Sequence, residues 1–62
     1  REGFSEYLNK IRVEKAEELL RDTDWTIARI SEAVGYSDQG YFSRVFKRHT
    51  GYTPSGYRRK QR

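Results

Sequence analysis

Apolar positions in the second half of this chain recur at helical spacing, stop abruptly, and start again. Ile27, Ala28, Ile30, Ala33 and Val34 share the period of a helix, Gly35-Tyr36-Ser37 interrupts it, and Phe42, Val45, Phe46 and His49 resume it. Two short amphipathic segments joined by a tight turn that contains glycine predict a helix-turn-helix over residues 26–49.

The polar residues at the boundaries agree with that reading. Thr26 is placed to accept a hydrogen bond from the unpaired amides that open the first helix, and Ser37 is placed to do the same for the second. A hydrophobic staple is expected at each start, Trp25 with Ile30 and Tyr36 with Tyr41. Arg29 and Gly40 stand where a capping box would put an acidic residue, so both starts are incompletely capped. Gly35 and Gly51 supply the left-handed residue that often closes a helix.

Upstream, residues 4–21 predict a long helix with Ser5 as its cap and Asp22-Thr23-Asp24 as its exit. Its apolar residues form two clusters. Phe4, Tyr7, Leu8 and Ile11 lie on one side, and Val13, Ala16 and Leu20 lie roughly 150° around the helix, with Leu19 between them. Two faces imply two packing partners. The second face can meet the helix-turn-helix, whereas nothing in the chain obviously covers the first.

Downstream, Thr53 followed by Pro54 marks the start of a short closing helix over residues 53–60, with Tyr52 and Tyr57 as a third staple and Tyr57 sealing the core. Arg58, Arg59, Lys60 and Arg62 make a basic tail, which near DNA would add phosphate contacts. Residues 4–12, FSEYLNKIR, also align without gaps on residues 54–62, PSGYRRKQR, with matches at Ser5/Ser55, Tyr7/Tyr57, Lys10/Lys60 and Arg12/Arg62. Because the later copy follows a helix-turn-helix, the earlier one is expected to follow another, upstream of Arg1. The chain would then be a fragment.

Sixty-two residues allow one small all-α domain, with little core to spare. No cysteine is present, so neither disulfides nor a cysteine-based zinc site can staple it. Stability must come from aromatic residues packed between helices. No apolar run approaches the length of a membrane span and no signal-peptide core is seen, so a cytoplasmic protein without membrane contact is expected. The net charge of +4 and a sequence pI of about 9.7 favour an acidic partner.

That charge gives meaning to the second helix of the motif. Phe42, Val45, Phe46 and His49 share one arc, while Gly40, Ser43, Arg44 and Lys47 lie opposite, Tyr41 and Arg48 flank the polar side, and Asp38 and Gln39 sit at the tip. Such a polar face carries donors suited to base edges and phosphates. Two bland readings stand beside it: a solvated charged face, and a protein-interaction module whose basic face docks an acidic partner. RNA is a weaker third reading, since the aromatics are assigned to core and staples and leave no stacking platform.

The run IARISEAVGYSDQGYFSRVFKRHTGYTPSGYR resembles the second helix-turn-helix of the arabinose-operon-regulator (AraC/XylS) family of bacterial transcription factors, and FSEYLNKIRVEKAEELL resembles that family's linker helix. The resemblance covers essentially the whole chain. It implies a homeodomain-like helix-turn-helix with a long preceding linker helix and a short closing helix, and it implies that the family's first helix-turn-helix lies outside residues 1–62. Double-stranded DNA is the implied partner, with RNA polymerase a further candidate partner of the full-length protein, no cofactor, and a monomeric fragment.

Carried onto this sequence, the resemblance makes residues 38–48 the recognition helix. Gln39, Gly40, Tyr41, Ser43 and Arg44 would read bases. Lys47, Arg48, Arg58 and the amide end near Ile27 would meet phosphates. Gly40 departs from the polar residue usual in the family, and Arg29 departs from the usual acidic one.

An enzyme is not expected. A lone His49 on the apolar arc reads as a packing residue, and pairing such as Glu17 with Arg21 accounts for the acidic residues of the first helix better than acid-base catalysis does. No glycine-rich nucleotide loop is present and no metal ligands are assigned.

Overall fold

The described residues form four helices in sequence order: α1 (Glu2–Asp22), α2 (Ile27–Ala33), α3 (Gln39–Thr50) and α4 (Pro54–Gln61). The computed structural model describes residues 2–61, and the side chains of residues 6–61. No strand occurs among the described residues, and the fold is the all-α helix-turn-helix expected.

α1 packs against each of the other three helices. Its Val13, Ala16 and Leu20 are buried together with Ile30 and Val34 around α2, Tyr36 from the turn, and Phe42, Val45 and Phe46 from α3. Phe42 and Phe46 pack with ring centroids 5.8 Å apart, and Tyr57 of α4 meets Phe46 edge-on at 5.5 Å. Tyr57 therefore closes one end of the core while remaining half-buried. The helices depend on this shared interior, because pieces as short as α2 and α4 are marginal alone.

Several boundaries differ from the sequence expectation. α1 begins at Glu2, which places Ser5 inside the helix instead of at its cap, and it runs on through Asp22. The side chains of Phe4 and Ser5, like Arg62, lie outside the described residues. Arg21 pairs with the neighbouring Asp22, Nε to Oδ1 at 3.1 Å, in place of the expected Glu17. Partial burial, with Glu14 nearby, raises the Glu17 carboxyl above its ordinary value, and Arg21 only opposes that shift.

On α2 the buried stripe is Ile30, Ser31 and Val34 with half-buried Ile27, whereas Ala28 and Ala33 are exposed. Ser31 is tolerated inside because its hydroxyl donates to the Tyr36 carbonyl at 3.2 Å. Hydropathy could not reveal that position.

Two glycines do what their positions predict. Gly35 and Gly51 have φ of 104° and 87°, and they turn the chain out of α2 and α3 respectively. Gly35 is constrained twice, since a Cβ there would also lie 3.1 Å from Arg12 Nε.

Candidate nucleic-acid interface

α3 is set by its amino-terminal cap. Asp38 Oδ1 accepts from the amides of Gly40 at 2.8 Å and Tyr41 at 3.3 Å, so Asp38 is the cap and Ser37 lies one residue outside it. This corrects the expectation that Ser37 caps the helix: Asp38 is extended, at φ −115° and ψ 110°, with its oxygen over the open amides. Tyr36 consequently sits two residues before the cap. It touches both Tyr41 and Phe42, at 5.8 and 5.4 Å between ring centroids.

α2 is capped as expected, with Thr26 Oγ1 accepting from the Arg29 amide at 3.1 Å. The Arg29 side chain stacks on Trp25, 4.0 Å from its ring centroid, which gives the unusual basic residue a packing role. Thr53 caps α4 through the Gly56 amide at 3.1 Å, and Pro54 at the first helical position is buried.

With Phe42, Val45 and Phe46 inside, α3 presents Gln39, Gly40, Arg44 and Lys47 outward, all exposed, with Ser43 half-buried at their margin. Tyr41 is 45% exposed and carries Arg44 above its ring at 6.0 Å. Arg44 forms no ion pair among the described residues. These five residues and Lys47 make one continuous polar surface on α3.

The remaining expected phosphate contacts are placed differently. Arg48 is ion-paired with Glu6 of α1, and His49 Nε2 lies 3.6 Å from the other oxygen of that carboxylate. His49 is thus half-buried at the α1–α3 seam and not inside the core. Ile27 turns its side chain toward the core, leaving its backbone amide at the open end of α2.

Arg58 departs most from expectation. Its Nε donates to the Leu20 carbonyl at 3.3 Å and its Nη2 to the Thr23 carbonyl at 3.1 Å. The guanidinium therefore caps the carboxyl end of α1, where unpaired carbonyls and the helix dipole both favour a cation. Nothing in the local sequence distinguishes this arginine from Arg59.

Asn9 and Arg12 of α1 were not singled out as site residues, yet both reach the turn before α3. The Tyr36 hydroxyl donates to Asn9 Oδ1 at 2.6 Å, and Arg12 lies over the Tyr36 ring, 5.3 Å from its centroid. Burial raises the Tyr36 phenol above its ordinary value while the Arg12 charge opposes the shift. A signal for this contact existed only in three dimensions, because the partners are 24 or more residues apart in sequence.

A capped, exposed polar helix after a glycine turn is the geometry that comparison with known proteins can test. A family described as "Helix-turn-helix domain" matches residues 1–60. The chain belongs to this AraC-type helix-turn-helix family. The AraC-type match extends to individual regulators. The HTH-type transcriptional regulator YijO of Escherichia coli is 43% identical over 58 residues, covering 94% of this chain and 20% of that protein. The transcriptional regulatory protein YesN of Bacillus subtilis is 44% identical over 62 residues, 97% of this chain and 17% of that protein. The HTH-type transcriptional activator RhaR of Mannheimia succiniciproducens is 44% identical over 55 residues, 89% and 20% respectively. The chain thus spans about a fifth of the length of the curated relatives it matches. No solved structure matches it at comparable significance.

Proposed function

We propose that the chain is a sequence-specific DNA-binding unit of a transcription regulator, with α3 laid into the major groove. The observation that carries this reading is the division of α3: Phe42 and Phe46 are fully buried, while Gln39, Gly40, Arg44 and Lys47 are exposed. A helix about 10–12 Å across matches a major groove about 12 Å wide. In this reading Gln39, Gly40, Tyr41, Ser43 and Arg44 face base edges, and Lys47 meets a phosphate. The amide end of α2 at Ile27 is turned to the opposite backbone. No reaction is assigned to the chain.

α1 then acts as the linker helix, and a second helix-turn-helix preceding it in the full-length protein covers the face bearing Tyr7 and Ile11. Those side chains are 63% and 43% exposed, while Leu8 of the same face is half-buried, in keeping with a face only partly covered among the described residues. No helix of the described residues is long and apolar enough to cross a membrane, and a regulator working on DNA in the cytoplasm is the setting this function requires. RNA polymerase as a further partner belongs to the full-length protein.

The test is selection from randomised duplexes followed by footprinting. Enrichment of a defined sequence with protection of a major-groove segment is expected. Binding to acidic polymers and unrelated duplexes alike, with no sequence enriched, would instead identify a general basic docking face.

A further inference from the structure

The recognition helix is flanked on its α1 side by a groove of about 450 Å³ whose lining includes Asn9, Arg12, Tyr36, Asp38, Tyr41 and Arg44. We infer that Arg12, on α1, forms a seat in this groove for one DNA backbone phosphate beside the recognition helix. The inference rests on the DNA-binding reading of α3 and adds a contact from outside the helix-turn-helix.

A helix that fills the major groove brings its two flanks against the phosphates that line it. On the α1 flank Arg48 is already tied to Glu6, whereas Arg12 makes no ion pair among the described residues. The Asp38 carboxylate also faces the groove, but it is engaged by the Gly40 and Tyr41 amides. Arg44, the other cation of the lining, is held over Tyr41 on the outward arc.

Arg12 is moreover packed on two sides. Its guanidinium lies over the Tyr36 ring and so close to Gly35 that a Cβ there would come within 3.1–3.4 Å of its Nε, Cζ and Nη2. A planar fork held against a ring and a backbone is pre-organised for phosphate in a way a mobile lysine is not. Gly35 is thereby linked to binding as well as to the turn.

The test uses the full-length protein on its selected duplex. The parent is compared with Arg12→Gln, which keeps a planar group without charge, in a salt series and on duplexes carrying single uncharged methylphosphonates. Arg12→Gln should lower the slope of log K against log salt by about one unit with base preferences unchanged. It should also remove the roughly tenfold penalty that one methylphosphonate imposes on the parent.

An unchanged slope, or a full set of methylphosphonate penalties in Arg12→Gln, overturns the seat. If the variant does not fold, the Arg12 Nε–H resonance of the parent decides. A shift on adding duplex supports the seat, and an unmoved signal overturns it. A parent with no preference among duplexes would overturn the DNA-binding reading itself, an outcome distinct from normal selectivity with an unmoved slope.

Discussion

The Tyr36 hydroxyl donates to Asn9 Oδ1 across 2.6 Å and so ties the turn of the helix-turn-helix to the middle of α1. Tyr36 is buried, and its ring reaches both Tyr41 and Phe42 in the first turns of α3. One tyrosine thus links α3 to the long helix. Tyr36→Phe removes the bond but keeps the ring, and should cost about 0.5–1.5 kcal/mol in denaturant unfolding.

The same residue predicts a pH dependence. Burial raises the folded-state pKa of the phenol, so the folded chain retains this proton more strongly than the unfolded chain does. The stabilisation is fully present below the unfolded tyrosine value of about 10 and is lost as pH rises through the higher folded value. The difference in unfolding free energy between parent and Tyr36→Phe should therefore be constant from neutral pH to about 9 and shrink above about 10. A difference that widens with alkalinity would contradict the assigned direction.

Asp38 and Ser37 give the sharpest contrast between sequence and structure. Asp38→Ala removes a carboxylate that serves two amides and should destabilise by about 1 kcal/mol, with a range of about 0.5–2. Ser37→Ala should change stability by less than about 0.5 kcal/mol. Equal losses in thermal unfolding would show that the two residues share the cap.

Arg58 should behave as a structural residue. Its bonds to the Leu20 and Thr23 carbonyls join α4 to the end of α1, and Arg58→Ala should cost about 1–2 kcal/mol. Its neighbour Arg59 is exposed, and Arg59→Ala should be near neutral. An Arg58→Ala chain of undiminished stability that lost salt-dependent DNA affinity would return this arginine to the phosphate role its sequence context suggested.

What the sequence made legible was local. Caps such as Thr26 and Thr53, the left-handed glycines, and the Phe42–Val45–Phe46 stripe act within one turn of chain, and each appears where its spacing put it. What was not legible was either a choice between neighbours, as at Ser37 and Asp38, or a contact whose partner is distant. Arg58 finds carbonyls 35 and 38 residues away, Arg48 finds Glu6 42 residues away, and Ser31 is buried only because the turn brings a carbonyl to it. Long polar side chains are the hardest to place, since their stems reach several partners of similar energy and the fold decides among them. Arg12 belongs to the same class.

The division of labour on α3 yields the most specific expectation. Arg44 lies one turn beyond Gly40 on the exposed arc, and because Gly40 has no side chain the helix can approach base edges closely there. The Arg44 guanidinium is held at the Tyr41 ring and forms no ion pair among the described residues, so its fork is available to a guanine. Lys47 is one turn further along, where a helix entering the groove by its amino end is leaving the bases, and a compact ammonium there suits phosphate. Arg44→Ala should therefore cost about 1–3 kcal/mol on the preferred site and flatten the preference at one base pair. Lys47→Ala should weaken all duplexes alike and lower the salt slope by about one unit. Affinities over all four base pairs at each position of the site, for parent and both variants, separate the two roles. A uniform loss in Arg44→Ala with no base preference relaxed would make Arg44 a backbone contact, and base reading would then fall to Gln39, Tyr41 and Ser43.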